Sequence, residues 1–384
     1  MKKVFQSDVL AIGLAIFSMF FGAGNLMYPI KVGIDSGDKI IFGMSGFLIT
    51  AIILPLLGLL AMILFEGDYK AFFFRLGEIP GKLILLICIL IVGPLIAIPR
   101  IVTLSYTMMS PFIPNISLVI FTALFLGLTF ICTYRESKIV NLLGKYISPA
   151  LLVSLSIIII KGFLTGTNMI QTSITPFNAF KENFWRGYET LDLLGAIFFS
   201  SVVLHILKKV YIGADSKKLA FVGFQAGVIG ISLLALVYIG MSNLGLYHGL
   251  GLEGINSGEL FREVSFRVLG VYGAAIIATA VIMACLSTAI ALAVVVAEFA
   301  QVDLFKNKIN YAHSLIIVLL SCVPLSLYGL DAVLKLTGGV ITYVGYPILI
   351  TLTLLNIAYK LFNFKPVKLP VLIVGTLALI SYFL

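Results

Sequence analysis

The chain has 384 residues, of which 60% are hydrophobic and 11% charged, and its formal net charge is +9. An average soluble domain contains roughly 25% charged residues, so this composition excludes a soluble protein. The positive charge does not indicate nucleic-acid binding, because basic residues in the short loops of a membrane protein act as topology signals. The chain is therefore expected to lie in a lipid bilayer.

Apolar stretches long enough to cross a bilayer recur along the whole chain. A membrane-spanning helix needs about 20 apolar residues, whereas a membrane β-strand has roughly ten residues of alternating polarity. Unbroken apolar runs such as 51–64 and 154–160 favour helices. We predict an all-α, multi-pass membrane protein with about eleven spans. Their bounds are about 8–30, 40–64, 83–107, 115–133, 142–162, 189–207, 218–242, 268–298, 311–328, 332–357 and 367–384.

Lysine and arginine residues are divided unequally between the two sides of the membrane. With the N-terminus inside, 17 of the 26 basic residues fall on the cytoplasmic side, eight fall outside, and Arg100 lies within a span. Because cytoplasmic loops carry an excess of Lys and Arg, this orientation is favoured. The N-terminal apolar segment lacks a clear small-residue cleavage site, so it is expected to stay in the mature protein.

The predicted spans form two sets of five, and an odd number makes the sets run in opposite senses. Inverted repeats of this kind are common in secondary transporters. They would cover about 8–162 and 189–357 of a single domain, residues 1–384, with an accessory helix at about 367–384. The outer loops at 163–188 and 243–267 are long. The second is read either as a partly helical cap or as a solvated connector.

The middle of span 1 contains the segment 21–25, which reads FGAGN. Each glycine lowers helix propensity by roughly 1 kcal/mol, and an asparagine side chain competes for backbone hydrogen bonds. A broken helix is tolerated at membrane depth only where protein, water or a ligand meets its freed backbone groups. The segment is therefore read either as a break that binds a solute or as a small-residue contact between helices.

The start of span 6 carries the acidic residues Glu189 and Asp192. Ionisable groups at membrane depth usually face a cavity or a partner, so Asp192 would orient backbone groups, meet a cation or contact an ammonium group. The alternative places both carboxylates at the outer water interface. An inverted repeat requires span 6 to hold the counterpart of the break in span 1.

Two further spans contain unusual polar residues. Ser287 and Thr288 in span 8 either bond to carbonyls of their own helix or act as hard oxygen ligands for a small cation. Arg100 follows Pro94 and Pro99 in span 3. Its side chain either extends to the outer interface or pairs with Glu189 or Asp192.

The sequence contains no Walker A motif, no His-Glu-x-x-His and no Cys-x-x-Cys. ATP-driven transport by this chain alone is therefore not indicated, and no cofactor is expected. No nucleophile, base and metal ligands occur together at membrane depth, so an enzyme is the weakest interpretation.

Four motifs, in this order, resemble those of the BrnQ-type branched-chain amino acid:cation symporters. They are 20–29 (FFGAGNLMYP), Gly93-Pro94 through Ile98-Pro99-Arg100, Gly187-Tyr188 with Thr190 and Asp192, and 285–290 (CLSTAI). The resemblance covers nearly the whole chain. It implies the leucine-transporter fold of the amino acid–polyamine–organocation superfamily, with 5+5 inverted repeats and discontinuous helices 1 and 6. The family commonly has about twelve spans, one more than the sequence predicts here.

This resemblance implies sodium symport of leucine, isoleucine and valine into a bacterium across its inner membrane, by alternating access. A proton-coupled carrier of the same fold is an alternative, with Asp192 or Glu189 as the titrating group. A non-transporting amino acid sensor is another.

The resemblance also implies the positions of the sites. The substrate would bind to Gly22, Ala23, Gly24, Asn25, Tyr188, Thr190, Leu191 and Asp192. The amides of Ala23 and Gly24 would hold its carboxylate, and carbonyls of the second break or Thr190 would receive its ammonium group. The coupling ion, Na⁺, would lie among Ser18, Phe21, Ala284, Ser287 and Thr288. Asn25 would serve a second cation or brace the unwound chain.

Overall fold

The computed structural model describes residues 2–134, 148–252 and 254–383. The start of the predicted fifth span, up to residue 147, lies outside these ranges. Within them, all regular secondary structure is helical. Six helical segments are long and apolar enough to cross a membrane: Ala23–Leu64, Glu78–Met109, Pro176–Val210, Lys218–His248, Ser257–Leu304 and Leu330–Phe362. Shorter apolar helices accompany them, and the chain is a multi-pass, all-helical protein whose count of eleven spans remains a prediction.

The first half of the chain alternates long helices with short irregular joints. Its helices are α1 (Lys2–Phe20), α2 (Ala23–Ser36), α3 (Ile40–Leu48), α4 (Leu54–Leu64), α5 (Tyr69–Phe73), α6 (Glu78–Leu90), α7 (Ala97–Met109) and α8 (Leu118–Thr133). π-helical turns at Ile49–Ile53 and Ile91–Leu95 join α3 to α4 and α6 to α7. The second turn holds Pro94, which cannot donate a helical hydrogen bond, and Gly93 beside it leaves helical geometry.

The second half of the chain contains the longest helices. They are α9 (Ser148–Thr165), α10 (Pro176–Tyr188), α11 (Asp192–Val210), α12 (Ser216–His248), α13 (Ser257–Phe299), α14 (Tyr311–Leu327), α15 (Leu330–Thr337), α16 (Tyr346–Phe362) and α17 (Lys368–Phe383). Side-chain oxygens of Thr175, Asp215, Asn256 and Asn310 accept the first free N–H groups of α10, α12, α13 and α14. These caps fix where the four helices begin.

Two helices begin earlier than the sequence predicts. The segment Pro176–Tyr188, expected in an outer loop, is helical because Thr175 caps it and Pro176 occupies its first turn. Span 6 therefore starts before its break rather than at residue 189. Helix α13 begins at Ser257 and bends at Gly270, whose φ of 70° is left-handed. The second outer loop is thus partly helical, not only a connector.

The helices pack in two groups, with the candidate site between them. In the first, which we name the bundle, α1 and α2 pack along α12, α3 packs along α10, and α4 packs along α11. In the second, which we name the scaffold, α7, α8 and α14 pack against α13. Large apolar side chains on the periphery, such as Leu124 and Ile131, are exposed, as expected of surfaces that face lipid.

Candidate functional site

The first break interrupts the helix between Phe20 and Ala23. Gly22 has the extended angles φ −108° and ψ −162°, and its N–H donates to the Phe20 carbonyl at 2.7 Å. A Cβ atom on Gly22 would lie 3.1 Å from the Thr288 side chain. The helix is therefore broken at this segment, and Gly22 also makes a close small-residue contact with α13.

Asn25 braces this break and joins it to a second one. Its amide nitrogen donates to the Phe20 carbonyl at 2.9 Å and to both carboxylate oxygens of Asp192 at 3.0 Å. The side chain of Asn25 is buried. A backbone carbonyl freed by the break thus has a partner, as required at membrane depth.

The second break lies between Tyr188, where α10 ends, and Asp192, where α11 begins. Leu191 has a φ of 67°, a left-handed conformation that is unfavourable for a residue with a branched side chain. The Thr190 hydroxyl donates to the Gly187 carbonyl at 2.8 Å and holds the unwound segment against the end of α10. Span 6 is therefore discontinuous, as the resemblance implies.

Arg100 binds the carbonyl groups that this break sets free. Its Nη1 donates to the Glu189 carbonyl at 2.6 Å, and its Nη2 donates to the Thr190 carbonyl at 2.9 Å. Arg100 is only 4% exposed, so its side chain does not extend to the outer interface. These two hydrogen bonds go to backbone carbonyls and not to the carboxylates of Glu189 or Asp192. The guanidinium thus lies at the C-terminal end of α10, where a positive charge stabilises the helix dipole.

Asp192 is only 5% exposed, so the alternative prediction that its carboxylate lies at the outer water interface is wrong. Its carboxylate accepts from Asn25 and, at 2.9 Å, from the Tyr238 hydroxyl. It also lies in the first turn of α11, where the helix dipole favours a negative charge. Glu189 is half-buried and lines a separate cavity of about 350 Å³, together with Lys31 and Asp331.

Both breaks face one small cavity between the bundle and the scaffold. It is lined by all of the predicted substrate residues except Tyr188, namely Gly22, Ala23, Gly24, Asn25, Thr190, Leu191 and Asp192. Its volume of about 30 Å³ is close to the share of one water molecule in the liquid. Tyr188 does not line this cavity; its ring stacks on that of Tyr346, with 5.2 Å between centroids.

Sequence reasoning missed the apolar wall of this cavity. Phe20, Val92, Ile101, Phe199 and Leu292 also line it. The rings of Phe20 and Phe199 meet edge to face, with 5.5 Å between centroids. These residues are apolar side chains within apolar spans, so no local feature of the sequence distinguishes them.

Hydroxyl and carbonyl oxygens gather where the end of α1 meets α13. The Ser287 hydroxyl donates to the carbonyls of Ser18 at 3.0 Å and Ala284 at 2.7 Å. The Thr288 hydroxyl lies 3.2 Å from the Met19 carbonyl and 3.3 Å from that of Ala284. The two hydroxyls therefore bond within their own helix and also reach across to α1.

This cluster includes most of the residues predicted to bind sodium. The Ser18 hydroxyl lies 3.4 Å from that of Ser287. Phe21 follows the end of α1 in the chain, and its ring stacks on Phe17 with 5.3 Å between centroids. The oxygens named here are all neutral, and no group of three His, Cys, Asp or Glu residues suited to a metal occurs in the described ranges. These are hard oxygen ligands, unlike the thiolate and imidazole ligands of copper and zinc sites.

The fold is shared with solved transporters. A mutant manganese transporter from Eremococcus coleocola superposes with a TM-score of 0.62 at 15% identity, covering 98% of this chain and 86% of that one. A Na⁺-coupled sialic acid symporter in a substrate-bound, outward-open state gives a TM-score of 0.57 at 14% identity, covering 96% and 89%. The chain is therefore a multi-pass membrane protein that shares the fold of these two proteins.

Sequence comparison shows the family to which the chain belongs. The family described as branched-chain amino acid transport protein matches residues 5–383. The branched-chain amino acid permease BrnQ of Bacillus subtilis is 32% identical over 376 residues, covering 95% of this chain and 84% of the relative. BraB of the same organism is 30% identical over 365 residues, covering 93% and 81%. The chain belongs to the branched-chain amino acid transport protein family, as its motifs predict, and its relatives carry the names of permeases rather than enzymes.

Proposed function

We propose that this protein imports leucine, isoleucine and valine by sodium symport, through alternating access at the cavity between the two breaks. The observation that supports it most is the Asn25–Asp192 contact, which joins the broken ends of two spans across one buried cavity. In secondary transporters, substrate and coupling-ion sites are typically formed by discontinuous helices of this kind. An amino acid needs groups of both signs, and this cavity supplies them.

The substrate's charged groups have distinct partners in this proposal. The first amides of α2, at Ala23 and Gly24, have no helical acceptor and lie at the positive end of the helix dipole, which suits the carboxylate. The Asp192 carboxylate lines the same cavity and suits the ammonium group. The Thr190 hydroxyl, the alternative ammonium partner, donates to Gly187 and keeps lone pairs that can accept from an ammonium group.

The branched side chain would enter the apolar wall formed by Val92, Ile101, Phe199 and Leu292. The cavity is far smaller than a typical ligand pocket of roughly 300 Å³ or more, so Phe20 and Phe199 must separate to admit it. An apolar pocket discriminates a single methylene by only about 1–3 kcal/mol. We therefore expect similar affinities for leucine, isoleucine and valine.

Sodium would bind among Ser18, Phe21, Ala284, Ser287 and Thr288. The cluster connects α1 of the bundle with α13 of the scaffold, so an ion there would favour one relative position of the two groups. Coupling requires that sodium and substrate favour the same conformation. A solved symporter with this fold is described as Na⁺-coupled, which is consistent with the proposal.

Proton coupling is the second candidate, because the structure buries Asp192 against neutral donors within the cavity. Uptake of radiolabelled leucine into proteoliposomes, under a sodium gradient or a pH gradient, separates the two. We expect uptake to require sodium and to persist without a pH gradient. Uptake that ignores sodium and follows the pH gradient in the wild type, but not in Asp192→Asn, would establish the proton carrier instead. A sensor would bind leucine without any exchange of it across the membrane.

A further inference from the structure

The guanidinium of Arg100 uses only part of its hydrogen-bonding capacity. Nη1 and Nη2 donate to the carbonyls of Glu189 and Thr190. Nε is fully buried and has no hydrogen-bond partner. A buried N–H of a charged group without an acceptor is unfavourable, and such a group in a native structure requires an explanation.

The unpartnered nitrogen belongs to the edge of the guanidinium that can bind a carboxylate. Nε and Nη2 present parallel N–H bonds along one side of the planar group, which matches the two oxygens of a carboxylate. Nη2 carries two hydrogens, and its bond to Thr190 uses one of them. Arg100 lines the cavity between the two breaks.

Gly24 lies against Nη2 of Arg100. A Cβ atom at Gly24 would lie 3.0 Å from Nη2 of Arg100 and 3.1 Å from the Thr190 backbone. Gly24 is in the first turn of α2 and lines the same cavity. The free amides of a helix N-terminus and the unused edge of a buried arginine thus converge on one wall. Both favour an anion with two oxygens.

No carboxylate of the described residues occupies this edge. The oxygens of Asp192 accept from Asn25 and Tyr238, and Nη1 and Nη2 of Arg100 donate to backbone carbonyls. Tyr28 lies between the guanidinium and the Glu189 carboxylate and interacts with both side chains. Nε has no acceptor among the described residues and is covered in this structure, so a carboxylate reaches it only when the cavity opens to admit the substrate.

We propose that Arg100 binds the carboxylate of the transported amino acid through its Nε–Nη2 edge, beside the amides of α2. This inference rests on the proposed function, and it adds a residue from span 3 to a site predicted from spans 1 and 6. One arginine of the scaffold then holds the second break with two N–H groups and the substrate with the remaining edge. Substrate binding would thereby draw both breaks towards α7.

The test compares leucine with leucinol, in which an alcohol replaces the carboxylate, as competitors of leucine uptake in proteoliposomes. For the wild type we expect leucine to compete at least about 100-fold better than leucinol. Glutamine at this position can still donate to a carbonyl but has no guanidinium edge. For Arg100→Gln we therefore expect the ratio to fall by about 10- to 100-fold, the usual range for hydrogen bonds to a charged group.

Arg75→Gln is the matched control. Arg75 also donates to backbone carbonyls, those of Leu355, Phe364 and Lys365, but it lies outside this cavity. Its replacement should leave the leucine-to-leucinol ratio unchanged. If Arg100→Gln does not yield folded protein by size-exclusion chromatography, Arg100→Lys takes its place. Lysine keeps the charge but not the paired N–H groups, so the ratio should again fall.

A ratio in Arg100→Gln or Arg100→Lys equal to that of the wild type would overturn the inference, because a merely structural arginine would change uptake and not the preference for a carboxylate. A wild-type ratio near one would overturn it without any variant. Wild-type protein that transports no branched-chain amino acid would instead refute the proposed function.

Discussion

The two helix breaks both free backbone carbonyl groups, and these groups find hydrogen-bond donors in different ways. In the first, glycine provides the extended backbone, and Asn25, five residues along the chain, binds the freed carbonyl of Phe20. In the second, no glycine is present between Tyr188 and Asp192, and Leu191 takes a left-handed conformation. The freed carbonyls of that break are bound by Arg100, 89 residues away from Glu189.

The difference shows which break depends on the rest of the molecule. The first break is built mainly from its own sequence, although Ser287 and Thr288 of α13 also reach the Ser18 and Met19 carbonyls at the end of α1. The second break forms because α7 supplies a buried cation and because α10 is fastened to α2. There, Arg186 pairs with Asp35 at 2.7 Å, and Asn183 donates to Ser36 at 3.0 Å. We expect changes at the contact between the breaks to have the largest effects, and changes within the first break to have smaller ones.

Asn25→Ala should have the largest effect, because it removes the contact between the breaks. It leaves the Phe20 carbonyl without a side-chain donor and takes two contacts from Asp192. The Phe20 carbonyl keeps the Gly22 N–H and Asp192 keeps the Tyr238 hydroxyl, so the cost is that of the lost hydrogen bonds, about 1.5–3 kcal/mol for bonds to a charged group. We expect a lower thermal unfolding temperature in detergent and a fall in leucine uptake of at least about tenfold.

Asn356→Ala is the control for this variant. Asn356 is also buried and binds across helices, to the Phe72 carbonyl and to Arg75, but it does not line the cavity. It should reduce stability while the KM for leucine stays near the wild-type value. If Asn25→Ala behaved in the same way, the contact between the breaks would be structural only.

Thr288→Ala should have an intermediate effect, confined to the ion. It removes one oxygen from the cluster between α1 and α13. We expect the sodium concentration for half-maximal uptake to rise about tenfold, equivalent to roughly 1.4 kcal/mol, with little change in substrate preference. Thr353→Ala is the control, because that buried hydroxyl donates within its own helix to Leu349. Unchanged sodium dependence in Thr288→Ala would remove this residue from the ion site.

Gly22→Ala should have the smallest effect. The new methyl group would lie 3.1 Å from Thr288, whose hydroxyl is already held by Met19 and Ala284. We expect a loss of about 1 kcal/mol in the free energy of unfolding, from overpacking. Gly127→Ala on α8 adds a methyl group with no neighbour within 4 Å, so it should be neutral or stabilising. Equal effects of both variants would show that the contact at Gly22 is not tight.

The sequence was most informative where structure is local. Apolar length predicted helices at each of the spans that the structure describes, and the glycines of segment 21–25 predicted the first break. The polar helix α10 was not predicted, because its polar residues resemble those of a loop. Their partners are distant in the sequence: Arg186 pairs with Asp35, and Asn183 donates to Ser36. Long-range partners of this kind leave no periodic signal.

The residues of the candidate site could likewise be predicted only where their own chemistry is distinctive. Residues with distinctive chemistry, such as Asn25 and Asp192 for the substrate and Thr288 for the ion, could be singled out from the sequence; all three line the cavity, and their roles stay predictions. The apolar wall could not be separated from lipid-facing side chains, because burial between two packed groups depends on tertiary structure. The role of Arg100 needed the position of the second break, which only the fold provides.

The central claim is that the joined breaks and the oxygen cluster form one site at which sodium and a branched-chain amino acid bind cooperatively. The most direct test is the equilibrium dissociation constant of leucine for the purified protein, measured by isothermal titration calorimetry in sodium chloride and in choline chloride at one pH. Coupling energies of about 1–3 kcal/mol correspond to roughly 5- to 150-fold changes in affinity. We predict that sodium tightens leucine binding by at least about tenfold, and an identical dissociation constant in the two salts would contradict the account.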